Sequence, residues 1–164
     1  MKYERFEQLP VWVAAIDMAT AIYALTELPP FRRRYSLRDQ IERAAVSVSN
    51  NIAEGFERGT KQELLTFLYI ARGSAGEVRS MLCLVEKIPG FAEIASGIVS
   101  LKASVESISR QLGGWVRTLR DSELKGERFV SAKVRRADAA RRDREEFLKE
   151  LQAVRNGAPF KRRE

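Results

Sequence analysis

The chain has 164 residues and a formal net charge of +7, from 29 Lys or Arg and 22 Asp or Glu, and it contains no histidine. Without an imidazole it lacks the usual neutral-pH acid/base, the histidine-assisted serine or cysteine nucleophile, and the mixed carboxylate and histidine ligands of di-metal bundles. Its single cysteine, Cys83, excludes an intramolecular disulfide and a thiolate zinc cluster, and we expect it to be a buried structural thiol. We therefore predict no cofactor, no metal site and no enzymatic activity.

The first predicted helix begins at Pro10, a favoured first helical residue, and runs to about Leu28, before two prolines. The apolar run 11–16 is too short for a signal peptide or a membrane span, so we expect a cytoplasmic protein without membrane contact. Two apolar stripes make its apolar face wider than one partner helix requires. The helix is either central to a bundle or also contacts a second protomer, and we favour the second interpretation. The stripes are Val11, Ala15, Met18, Ile22 and Leu25, and beside them Trp12, Ile16, Ala19 and Tyr23.

Three consecutive arginines, Arg32, Arg33 and Arg34, follow between Phe31 and Tyr35. Guanidinium groups bind phosphates and aromatic rings stack on exposed bases, so this loop is a candidate nucleic-acid contact. The alternative, which is commoner for a run of charges, is a solvated loop whose aromatic residues pack into the end of the bundle.

The second predicted helix follows Ser36, a good N-cap, and its apolar residues are spaced four and three apart along one face. Gly55 and Gly59 are expected to end this helix and turn the chain, because glycine adopts the backbone conformations that a helix end requires. The apolar series is Leu37, Ile41, Ala44, Val48 and Ile52.

Four polar residues of this helix are predicted to form a structural cluster, with Arg43 near Glu54 and Ser47 near Asn51. Their spacing puts each pair on nearly the same stripe, where a satisfied cluster would fix the helix register. Ligand binding at this cluster is the alternative. Carboxylates also lie in or beside this segment, but without an imidazole we predict no metal site: Asp39, Glu42, Glu54, Glu57 and Glu63.

A capping box formed by Thr60 and Glu63 predicts a third helix over residues 61–88, before Pro89-Gly90. Within it, Gly73 and Gly76 each cost about 1 kcal/mol relative to alanine. Close approach of a facing helix or a neighbouring subunit would compensate for this cost. Charges at seven-residue intervals form a surface row or an interprotomer row: Arg72, Arg79 and Glu86.

The fourth predicted helix has apolar residues in alternating steps of four and three from Ile94 to Leu119, typical of bundle packing. Its last turns are expected to be loosened by the pair Gly113-Gly114. Arg117 and Arg120 follow, near a helix C-terminus where cations are favoured, and they place two guanidinium groups at one end of the bundle.

The composition changes from Ser122 onward. Residues 122–164 contain 13 Lys or Arg and 8 Asp or Glu, a net charge of +5, which leaves +2 for residues 1–121. We predict a polar arm that is helical or disordered, since isolated helices of this kind are marginal in water. Lys125 and Arg128 join the arginine loop and the fourth-helix arginines as candidate nucleic-acid-binding residues.

Several short motifs resemble the core of the bacterial 23S ribosomal RNA intervening-sequence proteins. They are Arg43-Ala-Ala-Val-Ser47, Asn51-Ile-Ala-Glu-Gly55, Glu63, Phe67-Leu68 and Ala71-Arg-Gly-Ser74. The resemblance covers about residues 3–119. It implies an up-and-down four-helix bundle that commonly assembles into five-membered rings and has no assigned enzymatic activity, some members being encoded within inserted segments of ribosomal RNA genes. Ser49 departs from the family, which often has proline there.

A related group is the accessory variability determinant of diversity-generating retroelements, in which a basic pentamer binds reverse transcriptase and RNA. The stretch Leu112-Gly-Gly-Trp-Val-Arg117 resembles the end of the last helix in that group. The resemblance therefore implies an RNA partner and a reverse transcriptase as further partners to be tested.

Together these observations predict an all-α protein: an antiparallel up-and-down four-helix bundle over residues 1–121 with a basic C-terminal helical or disordered arm over residues 122–164. The leading functional hypothesis is a non-enzymatic homo-oligomer, with a pentamer favoured, that binds RNA or DNA, with RNA favoured. The alternative hypothesis is a structural or protein-interaction oligomer whose charges only keep it in solution.

Overall fold

The computed structural model describes residues 3–122 and Arg144. Residues 3–122 form four long helices and no strand: α1 (Pro10–Thr26), α2 (Tyr35–Glu57), α3 (Lys61–Lys87) and α4 (Ala95–Asp121). Short 3₁₀ helices at Phe6–Gln8, Pro29–Phe31 and Ala92–Ile94 precede α1, α2 and α4. The predicted extension beyond Ser122 lies outside the described residues, apart from Arg144.

The helices pack in a closed cycle, since α1 and α3 each contact both α2 and α4. Consecutive helices joined by short connections and packed side by side run antiparallel. This arrangement confirms the predicted all-α antiparallel four-helix bundle. A hydrogen bond connects the start of α3 to the end of α4: Lys61 Nζ donates to the carbonyl oxygen of Ser122 over 2.7 Å.

The first α1 stripe faces the core, where Ala15, Met18 and Ile22 are almost completely buried. The second stripe faces the core only in part: Ala19 is buried, whereas Ile16 is 37% exposed and Tyr23 is 44% exposed. Packing among residues 3–122 therefore covers only part of the apolar face of α1. The largest fully buried aliphatic side chains of the other helices are Ile41, Ile52, Leu64, Leu68, Leu82, Ile98 and Ile108.

Two predicted boundaries of α2 were wrong. The helix begins at Tyr35, one residue before the predicted N-cap Ser36, because the amide of Arg38 already bonds to the carbonyl of Arg34 (3.0 Å). Gly55 lies inside the helix, which runs to Glu57, and is buried there against α3. Among residues 3–122 a positive φ occurs only at Gly90 (95°), after α3, so neither Gly55 nor Gly59 turns the chain through a left-handed conformation.

The predicted start of α3 is confirmed at Lys61. The hydroxyl of Thr60 accepts a hydrogen bond from the amide of Glu63 (3.2 Å) and donates one to the Glu63 carboxylate (2.7 Å). The first contact satisfies one backbone amide of the first helical turn, and the second holds the Glu63 side chain against Thr60. The pair Gly113-Gly114 does not interrupt α4, which continues to Asp121.

Candidate functional site

The two groups of predicted nucleic-acid-binding arginines lie at opposite ends of the bundle. The loop with Arg32 follows α1, beside the start of α4, where the rings of Phe31 and Phe91 meet edge to face at 4.9 Å. A rise of about 1.5 Å per residue puts Arg117 roughly 30 Å along α4 from Ala95. Within one chain, therefore, the structure does not bring the arginine loop and the α4 arginines together.

The arginine loop combines features of both predicted alternatives. Phe31 is fully buried, and the guanidinium group of Arg34 lies over the ring of Phe91, with 5.2 Å between the guanidinium carbon and the ring centroid. Arg32 and Arg33 are exposed, and within residues 3–122 their side chains have no carboxylate or hydrogen-bond partner. Tyr35 is 75% exposed. Packing thus anchors one side of the loop and leaves two cations and one aromatic ring accessible to solvent.

Arg117 and Arg120 lie in the last turns of α4 and are exposed. In the described part of the chain neither side chain makes an ion pair or a hydrogen bond, although Asp121 is one helical turn beyond Arg117. Both guanidinium groups are therefore accessible to an external anion. Lys125 and Arg128, the other two predicted residues, lie outside the described residues.

The unpaired arginines differ from those that hold the bundle surface together. Arg38 bonds to Glu42 (2.9 Å) and Glu27 (2.6 Å), and the hydrogen bond with Glu42 is the main cause that raises the pKa of Arg38. The hydrogen bond with Glu54 likewise raises the pKa of Arg58. Carboxylates thus engage Arg5, Arg38, Arg43, Arg58 and Arg110, and among residues 3–122 the arginine side chains without a carboxylate partner are Arg32, Arg33, Arg34, Arg72, Arg79, Arg117 and Arg120.

Arg72 and Arg79 were not predicted as candidate sites, although their seven-residue spacing is evident in the sequence. They differ from the paired arginines in the residues that lie one helical turn away in the sequence. Neither has an acidic residue three or four positions away in α3, whereas Arg43 and Arg58 each have one at four. Since pairs at that spacing form most readily on a helix, their absence leaves a guanidinium group unpaired on the helix surface.

The predicted polar cluster is only partly formed. Asn51 donates from Nδ2 to both the carbonyl oxygen (2.7 Å) and the hydroxyl (3.0 Å) of Ser47. The hydroxyl of Ser47 lies 2.9 Å from that of Ser74 on α3, which also donates to the carbonyl of Ile70. The cluster therefore joins α2 to α3, and Ser74 was missed because its position opposite Ser47 depends on helix packing.

The structure does not bring Arg43 and Glu54 together. Arg43 pairs with Asp39 and Glu54 pairs with Arg58, in each case one helical turn away. A partner one turn away is in direct reach, whereas three helical turns separate Arg43 from Glu54. A groove of about 490 Å³ lies beside the cluster, and its lining offers hydrogen-bonding groups but no carboxylate, thiol or imidazole: Tyr23, Arg43, Val46, Ser47, Asn50 and Asn51.

Four of the five carboxylates of this region bond to neighbouring side chains, Asp39 to Arg43 among them, and Glu57 is exposed. Glu42 accepts from Thr26 and Arg38, Glu54 from Arg58, and Glu63 from Thr60. Across residues 3–122 no group of three or more Cys, Asp and Glu side chains is arranged to hold a metal ion. Arginine and hydroxyl partners thus use these oxygens for structural contacts.

Cys83 is half-buried instead of buried. Its neighbours in sequence explain the error, since Leu82 points into the core while Leu84 is 53% exposed. Cys83 stands between these two directions on α3 and lies beside Lys102 of α4.

None of the helices in residues 3–122 has the length and apolar content needed to cross a bilayer.

Comparison with known proteins places the chain in a family. The model of the 23S rRNA-intervening sequence protein family matches residues 7–114. The fold is also similar to the crystal structure of a protein of unknown function from the S23 ribosomal protein family of Bacteroides thetaiotaomicron, with a TM-score of 0.60 and 19% identity over 65% of this chain and 98% of that one. No curated protein matches the chain. The bundle and the family match over most of its length show that the chain belongs to the 23S rRNA-intervening sequence protein family.

Proposed function

We propose that this protein is a non-enzymatic, homo-oligomeric adaptor that binds nucleic acid, with RNA favoured, through arginines at both ends of its bundle. The observation that carries this proposal is the set of exposed guanidinium groups without partners among residues 3–122, which includes Arg32, Arg33, Arg117 and Arg120. Unpaired cations on a chain of net charge +7 favour a polyanionic partner. RNA is favoured because Tyr35 is exposed beside the arginines, where its ring can stack on an unpaired base.

Self-association is the second part of the proposal. Val13, Ile16 and Tyr23 leave apolar surface exposed on α1, and Gly73 and Gly76 leave α3 without side chains at two exposed positions. A Cβ at either glycine would meet nothing within 4 Å among the described residues, so no facing helix of residues 3–122 compensates for their cost. A neighbouring protomer, in a ring for which we propose five copies from the family resemblance, would supply that contact.

A ring would repeat each arginine group once per protomer. Repeated weak phosphate contacts on one RNA raise the overall affinity, because each contact after the first is intramolecular. An accessory role for a retroelement reverse transcriptase extends this proposal and is supported by the resemblance of the α4 end alone.

Filter binding of a structured RNA tests the proposal. We expect binding that weakens steeply between about 50 and 200 mM salt, because bound arginines displace counterions from phosphates. The variants R32Q/R33Q and R117Q/R120Q should each weaken binding, whereas R110Q, which removes a charge already paired with Glu106, should change it little. No binding at low salt, or binding that does not depend on salt, would contradict the proposal.

A second candidate function is a structural or protein-interaction oligomer without nucleic-acid binding. It is favoured by apolar side chains exposed on α3 and α4: Tyr69, Ile70, Leu84 and Val99. Exposed apolar surface of this kind is typical of protein contacts. This candidate predicts partner complexes that survive nuclease treatment and dissociate when Leu84 is replaced by Ser.

A further inference from the structure

Gly113 of α4 marks a place where two arginines from different helices meet. A Cβ at this position would lie 3.7 Å from Cζ of Arg72, on α3, and 3.8 Å from an Nη1 atom of Arg117, on α4. Because both distances start from the same point, Cζ of Arg72 and Nη1 of Arg117 cannot lie farther apart than the sum of the two. No other glycine of residues 3–122 has two arginine side chains over it.

The fold brings them together for local reasons. Helical side chains lean toward the helix N-terminus, so Arg117 extends back over the residue one turn earlier, which is Gly113. Because Gly113 has no side chain, Arg72 can reach across from α3 to the same spot. Asp121 lies one turn in the other direction and is not within ion-pair distance of Arg117.

Two positive charges in this arrangement repel each other unless an anion lies between them. Arg72 and Arg117 are both exposed, and in the described part of the chain neither has a carboxylate or a hydrogen-bond partner. The nearest acidic residue on the N-terminal side of Gly113 in α4, Glu106, already bonds to Arg110 (3.1 Å). Nothing within residues 3–122 therefore neutralises the pair.

We propose that Arg72 and Arg117 form one phosphate-binding site across Gly113, which takes a single phosphodiester group of the nucleic-acid backbone. Each guanidinium fork donates to one of the two non-bridging oxygens, the planar geometry for which arginine is better suited than lysine. This inference rests on the proposed function and deepens it, because it assigns a residue of α3 to the nucleic-acid surface and states that two arginines share one phosphate.

The test is RNA binding by R72Q, R117Q and the double variant, each checked for unchanged helical content. We expect roughly tenfold weaker binding for each single variant. Because both arginines act on one phosphate, the double variant should lose much less than the product of the single losses. Its salt dependence should fall by one phosphate, a change of about 0.7 to 0.9 in the slope of log K against log salt.

Arg79 provides the matched control, since it is exposed on α3 one heptad from Arg72 and also lacks a partner within residues 3–122. The losses of R72Q and R79Q should multiply in the double variant.

A second pair of variants keeps both arginines: G113L places a side chain between them and should weaken binding about as much as R72Q. G114L adds the same bulk next door, where a Cβ meets nothing within 4 Å, and should leave binding unchanged.

Two competitors identify the source of the anion, each added at constant ionic strength. Inorganic phosphate should displace RNA only at concentrations far above that of the RNA phosphates, and displacement at equal concentration would make a free anion the ligand and overturn the assignment. The second competitor is polyglutamate, which serves as a model of an acidic protein surface. Polyglutamate binding that needs both arginines, with RNA binding unaffected by R72Q and R117Q, would also overturn it.

The two proposals fail in different ways. Wild-type protein that binds no RNA at low salt overturns the proposed function and this site with it. RNA binding that is lost in R32Q/R33Q but unchanged in R72Q and R117Q overturns the shared site alone. Single losses that multiply in R72Q/R117Q, with a salt slope lowered by two phosphates, show that the arginines act separately and also overturn it.

Discussion

The Cβ of Phe67 on α3 lies 2.6 Å from the point that a Cβ would occupy on Gly55 of α2. A side-chain atom of Leu64 lies 3.3 Å from the same point, and its carbonyl oxygen lies 3.5 Å away. The two helices therefore approach each other here more closely than any residue with a side chain allows. This close approach accounts for the presence of a glycine inside α2 despite its unfavourable helix propensity.

The substitution G55A should destabilise the bundle by about 1 to 3 kcal/mol, the usual cost of overpacking a filled core. The first atom of the Phe67 side chain cannot rotate away, so the helices themselves must move apart. Urea unfolding followed by circular dichroism measures the effect. G59A is the control, since a Cβ at Gly59 meets nothing within 4 Å, and an equal loss in both variants would contradict the explanation.

Gly73 and Gly76 should behave in the opposite way in a single chain. Both lie in α3 with open space where a side chain would stand, so alanine should stabilise an isolated bundle by up to about 1 kcal/mol at each position. If a neighbouring protomer packs against these glycines, the same methyl groups should weaken the oligomer. Light scattering of G73A/G76A alongside urea unfolding separates the two effects.

The informative result is a smaller particle with a more stable subunit. An unchanged oligomer would show that the glycines do not lie in its interface, and a wild-type monomer would contradict self-association altogether. G114A, on α4, is the matched control, because Gly114 is also a helical glycine with open space around it.

The N-cap of α3 offers a test of local helix chemistry. Replacing Thr60 by alanine removes the hydroxyl that accepts from the amide of Glu63, and the loss should be about 1 kcal/mol in the free energy of unfolding. T66A makes the same chemical change inside α3, where the hydroxyl of Thr66 only bonds back to the carbonyl of Gln62 (3.0 Å). This control should be neutral or slightly stabilising, and equal losses would show that capping is not the cause.

Hydrophobic spacing was enough to predict four helices and their order, because each helix has one face that must be buried. The errors arose where the outcome depends on a neighbouring helix. The sequence places Gly55 at the end of α2, and only the position of Phe67 on α3 shows that this glycine lies inside the helix. Side-chain pairs within one turn of a helix take precedence over more distant pairs, so Arg43 pairs with Asp39 and not with Glu54.

The candidate site was predicted in part for the same reason. Composition and local runs identify Arg32, Arg33 and Arg117 as surface cations, and the structure places them on the surface. The proximity of Arg72 to Arg117 depends on the register between α3 and α4, which no local pattern specifies. Sequence therefore indicates which residues are cationic, whereas packing decides which of them meet.

Glu86 of α3 and Lys102 of α4 form an ion pair whose pH dependence can be measured. Lys102 Nζ lies 2.8 Å from Glu86 Oε2. The hydrogen bond from Lys102, followed by its charge, lowers the pKa of Glu86. The hydrogen bond to Glu86 is likewise the main cause that raises the pKa of Lys102.

A lowered carboxyl pKa stabilises the folded state above the unfolded-chain value of about 4.3, and this contribution is lost as the pH falls through the folded pKa. A raised lysine pKa acts in the other direction, so its contribution is lost as the pH rises through the folded pKa, above about 10.4. We therefore expect E86Q to be less stable than wild type at about pH 7, and the difference to disappear toward about pH 2.

Urea midpoints of wild type and E86Q, measured in steps over this range, test the expectation. The effect is small because both side chains are partly exposed and the surrounding water and salt screen them. E93Q is the control, since Glu93 is exposed and makes no ion pair within residues 3–122. A stability difference between wild type and E86Q that stays constant down to about pH 2 would show that the pair does not connect α3 and α4 energetically.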